Sequence, residues 1–253
     1  MGAEAQTERM EQKERPARDR WPDERYEVGA LLFRDDFAGD GAAPLKEWVP
    51  EMEAAGTVEA RRGKLVIDVP RGCTVWFRPE LSGPLLIEYD ATAVQKGGPN
   101  DRVSDLNCFW MAQDPKRPGR LLESRRSGKF ADYDALRTYY VGQGGNANTT
   151  TRFRRYVGTP GNRPLLPEHD LTAPEFLLRP NVKQRIRLVA CGGLVQYWRD
   201  GRRLFEMTDP EPYTRGWFGL RTVHSHLEIE RFRVLRLAPA AARAGTIGGG
   251  GAL

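Results

Sequence analysis

A two-residue hydrophobic period, repeatedly broken by glycine, proline or asparagine, runs through most of the chain. Lys64 to Val69 is bounded by Gly63 and Pro70, and Cys73 to Phe77 follows at once. Leu85 to Ala93 sets Leu85, Ile87 and Tyr89 against Leu86, Glu88 and Asp90. Leu106 to Ala112 sets Asn107, Phe109 and Met111 against Leu106, Cys108 and Trp110. Successive side chains of a strand point to opposite faces, so each run reads as a strand with two distinct sides. Arg185 to Ala190 and Leu194 to Arg199 flank Cys191-Gly192-Gly193 as a hairpin, and Asp200-Gly201 turns the chain into Arg203 to Thr208. Trp217 to Thr222 and Leu227 to Leu237 supply two more strands. With no long amphipathic helical period anywhere, the pattern predicts an all-β sandwich of two antiparallel sheets, of the jelly-roll kind.

A chain of 253 residues buries a core without disulfide staples. Residues 1–27 are charged and proline-bearing and are expected to form a disordered polar tail. Residues 28–237 form the expected domain, and 238–253 a flexible Ala/Gly-rich tail. No apolar run approaches the roughly 20 residues of a membrane helix, so no membrane partner is expected. The first 30 residues lack the apolar stretch of a signal peptide, which leads to a cytoplasmic expectation. The cysteines (Cys73, Cys108 and Cys191) are odd in number and widely spaced, as suits reduced thiols and not a zinc site.

The net charge is +5, and the basic excess is local. Between Lys116 and Arg163 eleven basic side chains stand against three acidic ones. Within that stretch Arg137, Tyr139 and Val141 share one strand face, and Arg152, Arg154 and Tyr156 share another. Gly142 to Asn148 lies between the two runs, so they are expected to pair as a long hairpin. Guanidinium forks suit carboxylates, and aromatic rings suit sugar faces. Glu88 and Asp90 share a face on their strand, with Asp105 just ahead of the Asn107 row, which offers carboxylates for acid–base work. His224 and His226, at i and i+2, point the same way on an extended chain. A third metal ligand beside them is not evident, which leaves His224 as a proton carrier, with Arg221 just ahead of it, or as a turn histidine satisfied by backbone partners. His169 lies in a loop that either covers a site or is structural. Interleaved Asp101, Asp105, Asp132 and Asp134 argue against nucleic acid as a partner.

Leu31-Leu32-Phe33-Arg34-Asp35-Asp36-Phe37, the region of Trp48, and Gly63 to Ile67 resemble the opening of concanavalin-A-like jelly-roll domains. Val195 to Gly201, Gly216 to Thr222 and Ile229 to Val234 resemble their late hairpin and closing strands. More narrowly, Asn100 to Ala112, Gly128 to Tyr140 and Asn148 to Tyr156 resemble an uncharacterised bacterial jelly-roll family of pectin and rhamnogalacturonan utilisation loci. The resemblance implies a carbohydrate-active protein, and the same jelly roll carries lyases, hydrolases and binding modules. The expectation is a polysaccharide lyase acting by β-elimination on an acidic, uronate-containing oligosaccharide. Asn107, Arg137, Arg152 and Arg154 would hold the uronate carboxylate. His224, Tyr139 or Tyr197 would move protons beside Arg221, with no metal or cofactor. The alternatives are a glycoside hydrolase drawing on Glu88, Asp90 and Asp105, and a binding module without chemistry.

Overall fold

The computed structural model describes residues 23–41 and 44–240. The tails expected over 1–27 and 238–253 fall outside the described residues except at 23–27 and 238–240. There Tyr26 opens the first strand and Pro239 closes the last. In chain order the strands are β1 (Tyr26–Asp35), β2 (Trp48–Met52), β3 (Thr57–Arg61), β4 (Lys64–Val69), β5 (Cys73–Phe77), β6 (Leu81–Ser82), β7 (Leu85–Ala93) and β8 (Leu106–Gln113). They continue with β9 (Arg137–Gly144), β10 (Thr150–Val157), β11 (Asp170–Leu171), β12 (Gln184–Cys191), β13 (Leu194–Arg199), β14 (Arg202–Thr208), β15 (Arg215–Thr222) and β16 (Ser225–Pro239).

These strands form two sheets, each eight-stranded. The first runs β14-β13-β12-β7-β16-β4-β3 with β1 beside β16, and the second runs β11-β10-β9-β8-β15-β5-β2 with β6 beside β15. Neighbouring strands are antiparallel throughout. The alternation explains the layers. Leu65, Ile67, Ile87, Tyr89 and Leu188 from the first sheet meet Val75, Cys108, Trp110, Val141, Phe153 and Phe218 from the second. Each such side chain contributes roughly 1.5–3 kcal/mol by leaving water. Among the described residues no helix is long and apolar enough to cross a membrane.

The second sheet is apolar on its outer side as well. Trp76, Phe109, Tyr140, Tyr156 and Trp217 form a separate cluster there with Leu121, Tyr133 and Leu136. The latter three belong to the stretch between β8 and β9, which crosses this face as a strap with short 3-10 turns at Leu121–Glu123 and Phe130–Tyr133. A strand half-buried on both sides is what lets a site be built on its outer face.

One row differs from the alternation. Met111 was placed with Asn107 and Phe109, but it packs between the sheets. Its φ is +54°, and the β8–β9 register slips between Trp110 and Gln113, so a bulge reverses the facing from there on. Gly216 accommodates that bulge: its φ is +146°, and a Cβ there would stand 2.4 Å from the Met111 carbonyl carbon.

Candidate functional site

Strand register assembles a polar row across the outer face of the second sheet. Arg221 of β15 stands opposite Asn107 of β8, Asn107 opposite Gly142 of β9, and Gly142 opposite Arg152 of β10, which faces Asp170 of β11. The parallel row beside it runs Phe109, Tyr140 and Arg154. Gly142 leaves a notch in the polar row, and Tyr140 leans over it. A Cβ on Gly142 would lie 2.9 Å from the Tyr140 hydroxyl. Above this floor opens a cleft of about 300 Å³, lined by Asp105, Asn107, Tyr140, Arg152, Arg154, Tyr156 and Arg163, with Phe130 of the strap and Asn146 at its rim.

The strap is clamped from beneath. Glu51, buried, accepts hydrogen bonds from the Trp76 indole (2.9 Å), the Tyr133 hydroxyl (2.8 Å) and the Arg126 backbone N–H (3.1 Å). Arg221 donates from one guanidinium nitrogen to Thr74 Oγ1 (2.8 Å) and to the Gly128 carbonyl (3.0 Å). The same guanidinium lies 4.8 Å from the ring centres of both Phe130 and Tyr133. Arg221 therefore fixes the strap and the Phe130 ring, and it is absent from the cleft lining.

The cleft's charges are unequally paired. Arg152 holds Asp170 through two bonds, 2.8 and 3.0 Å. Arg163 lies 3.4 Å from Asp134 and over the Phe130 ring. Arg154 donates to the Arg163 carbonyl and has no carboxylate partner among the described residues. Burial, together with the like charges of Arg152 and Arg163, holds its pKa below the ordinary arginine value. Burial pushes the Tyr156 phenol up to about 12 and the Tyr140 phenol well above its usual value, so both stay protonated near neutrality. One buried polar atom here, Asn107 Oδ1, lacks a partner, while the Tyr156 hydroxyl lies beside the Arg163 guanidinium. The Asn107 amide nitrogen is turned to Asp105 Oδ1 (3.5 Å), and Ser104 donates to Asp105 Oδ2.

Asp105, Asn107, Arg152 and Arg154 are thus brought together, and the other expected site residues are not. Tyr139 points between the sheets and donates to Asp209 Oδ2 (2.7 Å); its neighbour Tyr140 is the phenol in the cleft. Tyr197 is also interior and donates to Gln143 Oε1. Arg137, the first residue of β9, is exposed beyond the cleft. Glu88 and Asp90 lie on the outer face of the other sheet in ion pairs with Arg187 (2.5 Å) and Arg185 (2.6 Å). His224 sits in the β15–β16 turn with Nε2 3.4 Å from the Pro99 carbonyl oxygen, while Val223 reaches the cleft rim. His226 pairs with Asp101 Oδ1 (2.9 Å). His169 is buried against Phe153 and Phe205, a core position and not a lid. Among the described residues no group of three or more His, Cys, Asp or Glu is gathered to hold a metal.

Tyr140, Phe130, Asn146 and Arg163 were missed. Two of them have a sequence signal: Tyr140 adjoins Tyr139 in the paired run, and Asn146 lies in the turn between the paired strands. The rim asparagine is held by an unusual tip. Asn146, Ala147 and Asn148 have φ of +52°, +59° and +62°, one left-handed turn. Asn148 fastens it by bonding both the N–H and the C=O of Leu178 (2.9 and 3.0 Å).

Comparison with solved structures gives the fold. A galectin-like protein of unknown function from Bacillus subtilis superposes with a TM-score of 0.64 at 16% identity, over 85% of this chain and 99% of its own. β-Agarase B from Zobellia galactanivorans gives 0.56 at 8% identity, over 90% and 99%. A carbohydrate-binding module, CBM66, from Bacillus subtilis gives 0.51 at 13%, over 75% and 95%. The architecture is therefore a galectin-like jelly roll. Among curated proteins no match is found. One family model, a domain of unknown function (DUF6250), matches residues 67–232, a span that contains the strap, the hairpin and every cleft residue named above. The chain belongs to the DUF6250 family.

Proposed function

We propose that the cleft binds a uronate-containing oligosaccharide of the pectin or rhamnogalacturonan class and cleaves it by β-elimination. The observation that carries this reading is Arg154, a cleft guanidinium with no carboxylate partner among the described residues, flanked by Arg152 and Arg163. A sugar carboxylate supplies the missing anion. Neutralising that carboxylate acidifies the C5 proton beside it, which is the electrostatic half of elimination. In this reading the Tyr140 phenol, which lines the cleft and stays protonated near neutrality, donates to the leaving glycosidic oxygen. Asn107 Oδ1, which lacks a donor, accepts a sugar hydroxyl, and the Phe130 and Tyr140 rings offer faces for pyranose stacking. The fold neighbours that include an agarase and a carbohydrate-binding module support a carbohydrate ligand. A two-carboxylate hydrolase has less support, because Asp105 is the one carboxylate among the described lining residues.

The test is incubation with galacturonan, rhamnogalacturonan, glucuronan and alginate oligosaccharides, followed by ultraviolet absorbance and product masses. Unsaturated fragments whose masses sum to the substrate support a lyase, and Arg154→Ala is expected to abolish them. Fragments heavier by one water would mean hydrolysis, and affinity without product would mean a binding module.

A further inference from the structure

Elimination needs a base, and no histidine is among the described residues lining the cleft. We propose that Asp105 is that base, acting with Tyr140 as the acid; the assignment rests on the lyase reading. Asp23, Glu51, Asp90, Asp105 and Asp209 are the buried acids among the described residues. Arg25, Arg126, Arg185 and Arg155 stand beside Asp23, Glu51, Asp90 and Asp209 respectively. Asp105 is the exception: Ser104 and Asn107 are its side-chain partners, both neutral. A carboxylate not committed to a cation keeps its capacity to take a proton. It is also the carboxylate that faces the cleft, in a neighbourhood where it acts electrostatically on the Tyr140 phenol.

Its backbone is unusual in the same direction. Asp105 has φ +59°, and its N–H bonds the Gly144 carbonyl (3.0 Å) at the far end of β9. Aspartate tolerates this left-handed conformation better than most residues, and such positions cluster at functional sites.

The step balances without a co-reactant. Asp105 takes the C5 proton, and the C5–H electron pair becomes the C4=C5 double bond. The C4–O bond breaks, and its electron pair goes to the glycosidic oxygen, which takes the Tyr140 phenolic proton. Protonated Asp105 and the Tyr140 phenolate then exchange protons through water, restoring both groups. Arg154 holds the carboxylate throughout.

The test compares wild type, Asp105→Asn, Tyr140→Phe and His224→Ala on whichever uronate oligosaccharide the wild type cleaves. Oligosaccharide affinity is measured by calorimetry in parallel. Asparagine keeps the shape of the side chain and can still accept from Ser104. Turnover is expected to fall about 10²- to 10⁴-fold in Asp105→Asn, with affinity held within a few-fold. His224→Ala, which removes the rival base, retains turnover. The parallel affinity measurement guards against a variant that fails to fold, since a misfolded protein loses binding as well as turnover. If wild type cleaves no uronate, the lyase reading falls and this assignment with it. If wild type cleaves and Asp105→Asn stays within ten-fold, or His224→Ala is the variant that loses turnover, the lyase stands and Asp105 as base is overturned.

Discussion

Ala147→Gly is expected to stabilise the protein. Ala147 occupies φ +59°, ψ +43° at the middle of the left-handed tip between β9 and β10. An L-residue pays about 1–2 kcal/mol there, because its Cβ crowds the following carbonyl oxygen. The flanking asparagines recover part of that cost through side-chain bonds, Asn146 to Thr150 Oγ1 (3.3 Å) and Asn148 to Leu178. Alanine has no polar group with which to do so, and its methyl is exposed, so removing it uncovers no core. Against the relieved strain stands the greater freedom of glycine in the unfolded chain, roughly 0.5–1 kcal/mol. The net gain is about 0.5–1 kcal/mol, or some 1–4 °C in Tm for a domain of this size. Urea denaturation followed by tryptophan fluorescence reads it, with an unchanged m-value confirming that the native state is the same. Ala147→Val, with a branched Cβ in the same backbone, moves the midpoint the other way. A glycine variant at or below wild type, with valine no worse, would refute the strain argument.

Other perturbations separate the cleft from the core. Gly142→Ala crowds the Tyr140 hydroxyl by a few tenths of an ångström, so turnover of whichever uronate is cleaved is expected to fall about ten-fold with little change in circular dichroism. Tyr139→Phe removes the bond to Asp209 and strands the Tyr213 N–H (3.0 Å), costing about 1–3 kcal/mol in denaturation while turnover persists. Burial lowers the His169 pKa below its ordinary 6.5, so the unfolded chain binds the extra proton and stability falls as pH drops below about 6.5. His169→Phe, packed between the same two phenylalanines, should flatten Tm between pH 7 and 5, and a thermal series at both values checks it.

Hydrophobic alternation made the strands legible because burial between sheets acts on every second residue. Leu85–Ala93 and Cys73–Phe77 stand where the alternation put them. Alternation names two faces and does not say which is which. In Arg137–Gly144 both Tyr139 and Tyr140 lie in two-sided surroundings, one against the opposite sheet and one under the strap. The usual contrast of apolar inside and polar outside is therefore lost. At Met111 a bulge changes the parity mid-strand, and only a partner strand reveals that. The strap shows no such alternation and gives no sign in sequence of what holds it. Its anchoring by Glu51 and Arg221 comes from strands far away in sequence.

Composition could not separate the two outer faces, since both carry arginine. Pairing does separate them. On the first sheet Arg185 and Arg187 meet Asp90 and Glu88, Lys183 meets Glu230, Lys64 meets Glu228 and Arg233 meets Asp36. Those charges are paired by the face's own residues. On the second sheet a guanidinium without a carboxylate, Arg154, and a buried carboxylate without a guanidinium, Asp105, line one cleft and are not bonded to each other. Evolution had only to join them to make a stable ion pair, and a structural role would have been served by that bond. Keeping them apart across the Gly142 notch costs stability on both sides. The arrangement makes physical sense when a third group, anionic toward Arg154 and proton-bearing toward Asp105, enters between them. A uronate ring carries both features on adjacent carbons.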